Sequence, residues 1–134
     1  MNNAAAAYRQ NAVESAPPIK IVRMLFEGAL RFLEQAQGFD AETETVQFND
    51  RLRRAEAIVA ELRLSLDVER APELCGQLES LYLFVEDELR EAFLERDKAR
   101  VANAKEILAN LAEAWNQVKV DATSVEVSER NEAA

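Results

Sequence analysis

Residues 48–66, FNDRLRRAEAIVAELRLSL, decide the fold. Within them Phe48, Leu52, Ala55, Val59, Leu62 and Leu66 recur at alternating spacings of four and three, the heptad seam of a helix packed lengthwise against another. Arg51, Arg53, Arg54 and Arg63 fall off that seam, so the segment is two-faced along its length. Such a helix buries its seam only against partners of similar length, and the flanking sequence supplies them.

Upstream, an apolar pattern of helical period runs from Pro18 to about Gln37, with Val22, Leu25, Ala29, Phe32, Leu33 and Ala36 on one side. Ile19, Phe26 and Leu30 widen it to about half the circumference, so this helix is expected to touch more than one neighbour. Gly38 is expected to end it by taking a positive φ. Downstream, Ala71-Pro72 opens a third helix, because proline in a first turn loses no needed N–H. Its stripe is Leu74, Leu78, Leu81, Val85, Leu89 and Ala92. A fourth starts near Asp97, whose carboxylate caps free N–H groups, and carries Val101, Ala104, Leu108, Leu111, Trp115 and Val118. No alternating strand pattern competes. The predicted fold is all-α: an antiparallel four-helix bundle over residues 18–120, a mobile N-terminal arm at 1–17, and a short, flexible acidic tail at 121–134.

Composition narrows the function. The chain has 134 residues, enough for one domain, and its 25 acids against 16 bases give a net charge of −9. That balance repels phosphate backbones and anionic lipid surfaces, so no nucleic acid is expected as a partner. Histidine is absent and Cys75 is the only cysteine, which removes His-based triads, thiolate zinc sites and an internal disulfide. No metal or cofactor is expected. No run approaches the roughly 20 apolar residues of a membrane span, and the N-terminus has no secretory pattern, so a soluble, cytoplasmic chain without membrane insertion is expected.

Most other features have an ordinary structural explanation. Glu86, Asp87, Glu88, Glu91 and Glu95 read as a solvated helix face, and Arg51, Arg53, Arg54 and Arg63 of the second helix as their counterpart, paired with acids of neighbouring helices, with a ligand-binding role as the alternative. Cys75, Tyr82 and Trp115 read as core. One pattern asks for more. At 100° per residue Val46, Ala57 and Leu64 share a line on the second helix away from its seam, and Gly76, Leu83 and Leu94 do so on the third. In a hairpin about Arg70, Val46 lies level with Leu94, Ala57 with Leu83, and Leu64 with Gly76. The two lines form an outer apolar track, either a scatter of exposed side chains or a groove for an amphipathic helix. Two other function classes compete: a small all-helical enzyme binding an anionic substrate through inward Arg and Glu, and a generic helical adaptor. The seams hold no charged residue, which weighs against the enzyme.

Several short segments together resemble one family, the bacterial flagellin export chaperones called FliS. They are Ala7-Tyr8, Ser15-Ala16-Pro17-Pro18, Met24-Leu25-Phe26-Glu27-Gly28-Ala29, Ser65-Leu66-Asp67, Leu81-Tyr82, Asp97 and Ala114-Trp115. They occur in the family's order and with compatible spacing over residues 4–119. Pro17 stands where the family usually has serine, and Ala71-Pro72 where it usually has a glycine pair. The resemblance implies a non-enzymatic chaperone of type III secretion. Such a protein binds the disordered C-terminal segment of flagellin, prevents premature polymerisation and delivers the subunit to the flagellar export gate protein. It maps a gate-docking tyrosine onto Tyr8. The outer track would be the flagellin groove.

Overall fold

The computed structural model describes the backbone of residues 19–133 and the side chains of residues 19–117. Four helices follow one another: α1 Ile19–Gly38, α2 Thr45–Leu64, α3 Pro72–Glu95 and α4 Lys98–Ala133. Each packs on two others in a ring, α1 on α2, α2 on α3, α3 on α4 and α4 on α1, as in an antiparallel bundle. The expected 1–17 arm, with Tyr8, lies outside the described residues. The expected fourth-helix boundary at Val120 is passed: helical backbone continues through the 121–134 segment as far as Ala133.

Most of the stripe residues read from the sequence form the core, while Leu74 and Leu81 of the third stripe stay exposed and Val118 lies outside the described side chains. Phe48, Leu52, Ala55, Val59 and Leu62 of α2 are buried, and so are Val22, Leu25, Phe26, Ala29, Leu33 and Ala36 of α1. Tyr82, Val85, Leu89 and Ala92 of α3 meet Val101, Ala104 and Leu108 of α4 in the same cluster. Cys75 is buried as expected, and Trp115 packs half-buried against the cluster.

The helix ends depart from expectation in one place. Gly38 has no positive φ; it is the last residue of α1, and Phe39 N–H donates back to the Ala36 carbonyl at 3.1 Å. The turn is instead made by Asp40, whose carboxylate accepts from the N–H groups of Thr43 (3.0 Å) and Glu42 (2.8 Å). Those two backbone donors hold the Asp40 carboxyl below the usual range. The left-handed residue is Arg96, at φ 55°, between α3 and α4. Asp97 N–H closes that turn onto the Ala92 carbonyl at 3.1 Å, and the Asp97 carboxylate accepts from Ala99 N–H at 2.9 Å. Asp97 thus caps α4 as its sequence position predicts.

The acidic run of α3 is not wholly a solvated face. Glu86 is 2% exposed and Glu88 8% exposed. They sit on opposite flanks of the core stripe, where α2 and α4 close over them. Glu86 accepts from Arg63 Nε at 2.7 Å and Nη2 at 3.3 Å; Glu88 accepts from Arg100 Nη1 at 2.8 Å. Each buried carboxylate therefore has its own guanidinium, the condition under which such burial is tolerated. Of the second-helix arginines expected to pair with neighbouring helices, Arg63 does so. Arg51 and Arg54 instead pair with Asp50 of their own helix.

Candidate functional site

Three surfaces come from this packing. The first is the outer face of the α2–α3 hairpin. The chain turns between the two helices over residues 65–71, where Arg70 N–H donates to the Asp67 carbonyl at 3.2 Å. All six residues of the expected track are exposed: Val46, Ala57 and Leu64 on α2, and Gly76, Leu83 and Leu94 on α3. Val46 and Leu94 are open to solvent over 81% and 71% of their surface. A Cβ added at Gly76 would meet nothing within 4 Å, so that end of the track is open. Two ion pairs cross the hairpin, Arg63 to Glu86 at 2.7 Å and Arg90 to Glu56 at 3.0 Å. Beside Leu94 lies a shallow hollow lined by Arg53, Glu56, Arg90 and Phe93.

The second surface is the flank of α3 that faces α4. Leu74, Leu81 and Phe84 are exposed there, although the first two belong to the stripe read as core. At 100° per residue Leu74 and Leu81 stand at the α4-side edge of that stripe, and Phe84 lies beyond it. Edge positions are not separable from core by period alone. The signal that could have found them is composition. Five of the nine large apolar side chains exposed among the described residues belong to α3, namely Leu74, Leu81, Leu83, Phe84 and Leu94.

The third is a cavity of about 280 Å³ at the bundle end where α1 begins. Ile19, Leu62, Leu66, Leu74, Leu78 and Trp115 line it, with Cys75 and Tyr82. The Cys75 thiol donates to the Asp67 carbonyl at 3.2 Å, which occupies its proton in a structural bond. Burial pushes the Tyr82 phenol up to about 12, against a hydrogen bond with Trp115 that acts the other way.

Among the described residues no group of three or more Asp, Glu or Cys side chains could hold a metal ion. The buried carboxylates are each committed to an arginine. Among the described residues no helix is long and apolar enough to cross a membrane. What the described residues offer is apolar side chains held in open positions along the helices.

Comparison with known proteins agrees in kind. The family model described as flagellar protein FliS matches residues 1–122. A flagellar secretion chaperone FliS of Salmonella typhimurium is 32% identical over 115 residues, covering 85% of each chain. The FliS of Campylobacter jejuni is 33% identical over 117 residues, covering 87% of this chain and 91% of its own. That of Bacillus subtilis is 27% identical over 117 residues, covering 87% and 86%.

Proposed function

The chain belongs to the FliS family of flagellar secretion chaperones and is not an enzyme, and from that premise we propose that it binds the disordered C-terminal segment of flagellin along α2 and α3. In this reading it acts in the cytoplasm, keeps flagellin from polymerising early and delivers it to the export gate, with Tyr8 of the N-terminal arm touching the gate protein. The observation that carries it is the concentration of exposed apolar side chains on α3. A lone exposed leucine needs no explanation, but five such side chains on one helix of 24 residues do. Covering each contributes roughly 2 kcal/mol. Ordering a disordered segment costs about 2–5 kcal/mol or more, so several must be covered at once. An amphipathic helix laid along the hairpin covers Leu83 and Leu94 of α3 together with Val46 and Leu64 of α2, leaving Leu74, Leu81 and Phe84 on the α4 side to a further stretch of the segment, and it also hides the apolar face through which flagellins would meet.

The test is a titration of the full chain with a flagellin C-terminal fragment, followed by calorimetry and circular dichroism. A one-to-one complex with more helix than the sum of its parts is expected. Leu83→Glu and Leu94→Glu should weaken the complex while leaving the melting temperature nearly unchanged, since both side chains are exposed. Leu108→Ala should do the reverse: its side chain is wholly buried, and its loss costs about 2–5 kcal/mol of stability. Equal spectra together with no heat of mixing would sink the assignment. A complex formed equally well by an unrelated helical peptide would leave a generic adaptor in its place.

A further inference from the structure

The outer track is not apolar from end to end. Arg53 stands on the same line of α2 as Val46 and Ala57, about 10 Å along the axis from the first and about 6 Å from the second. Arg90 stands on the matching line of α3, between Leu83 and Leu94. The two arginines border one hollow of about 300 Å³, with Phe93 and Leu94 as its apolar wall.

Their states differ. Arg90 is held in place by Glu56 at 3.0 Å and Asp87 at 2.9 Å. Arg53 is exposed and makes no ion pair or hydrogen bond among the described residues. Both carboxylates at the hollow, Glu56 and Asp87, are taken by Arg90, so the Arg53 guanidinium is the charge there without a partner, on a chain whose total is −9. A guanidinium on the track without a partner of its own, unlike Arg90, penalises an all-leucine helix lying across it and favours one that brings a carboxylate.

Resting on the reading of the track as the client groove, we propose that the hollow receives a carboxylate from the bound helix. An Asp or Glu lies at a seam position level with Arg53, flanked by an apolar side chain on Phe93 and Leu94. The contact sets the register of the client along the hairpin. A helix shifted by one heptad would place a leucine against Arg53 and leave its acid without a partner.

Two synthetic helical peptides of about three heptads test this, each with a leucine seam and differing only by Glu or Gln at one central seam position. They are titrated into the full-length chain beside the flagellin C-terminal fragment. The Glu peptide should bind about fivefold more tightly than the Gln peptide at low salt, a preference that shrinks as salt rises. Arg53→Gln should erase the preference, and Leu83→Glu should weaken both peptides alike. Equal binding of the two peptides, or a preference that survives Arg53→Gln, overturns the register assignment while the groove reading stands on the Leu83→Glu result. Binding of the fragment but of neither peptide also overturns it. If Leu83→Glu leaves both peptides and the fragment untouched, the groove itself is wrong and the assignment falls with it.

Discussion

Replacing Arg63 by Met isolates the contribution of a buried charge pair. In the native chain the Glu86 side chain is 3% exposed and takes two N–H donors from one guanidinium, at 2.7 and 3.3 Å. Arg63→Met keeps most of the aliphatic stem and removes both donors, leaving a carboxylate between α2 and α3 with no countercharge. Removing one member of a buried pair costs about 3–5 kcal/mol. The Arg63 side chain is 25% exposed, so water reaches the site from one side and the low end, about 3 kcal/mol, applies. For a domain of this size that lowers Tm by about 10–15 °C. In urea the midpoint should fall with the slope unchanged. Arg63→Met combined with Glu86→Leu should recover most of the loss, because a well-packed apolar pair replaces an ion pair at little cost. A loss below about 1 kcal/mol in the single variant would refute the reasoning, as would a double variant no more stable than the single.

The Tyr82 phenol is pushed up to about 12, whereas in an unfolded chain it ionises near pH 10, so the folded state keeps the proton between those values. Stability from this group is therefore complete below pH 10 and falls by roughly 2–3 kcal/mol as pH rises toward 12. Tyr82→Phe should flatten that limb of the denaturation-versus-pH curve. At the left-handed Arg96, Arg96→Gly relieves about 1 kcal/mol of backbone cost against an exposed ion pair with Glu42 that contributes less. A small rise in Tm is expected, and Arg96→Val should lower it.

The bundle was legible because its signal is long and repeated. Phe48 to Leu62 keep one period over four turns, and period alone places them inside. The Asp97 cap was legible for the opposite reason, being local and chemical. What the sequence hid lies at stripe edges. Glu86 and Glu88 belong to a run of five acids, and whether such a residue meets water or an arginine depends on how far the next helix leans over it. Leu74 and Leu81 fit the apolar stripe yet stay exposed, since they stand at its edge, where period alone does not decide burial. The six residues of the track were found as exposed because they stand opposite the seam, where rotation by 180° leaves no ambiguity. Arg53, on that same line, reads from sequence as one of the arginines paired with acids of neighbouring helices, but among the described residues no acid reaches it. The turn after α1 departs from expectation at Gly38 because glycine permits a positive φ without requiring one, and Asp40 supplies another way round.

The two-residue joint at Arg96 and Asp97 bears on the order in which the chain folds. The connections before α2 and α3 run over residues 39–44 and 65–71, and each doubling of a loop costs about 0.6 kcal/mol of closure entropy. The α3–α4 pair therefore has the lowest closure cost of the three hairpins and is expected to form early, while the α1–α4 contact, which spans the length of the chain, is expected to form last. In stopped-flow refolding, Val101→Ala beside the joint should slow folding, and Leu25→Ala on α1 should mainly hasten unfolding. Equal effects on both rates would contradict that order. The helix with the most exposed apolar surface is then already shaped when the ring shuts around it, and its leucines face water from the first committed step.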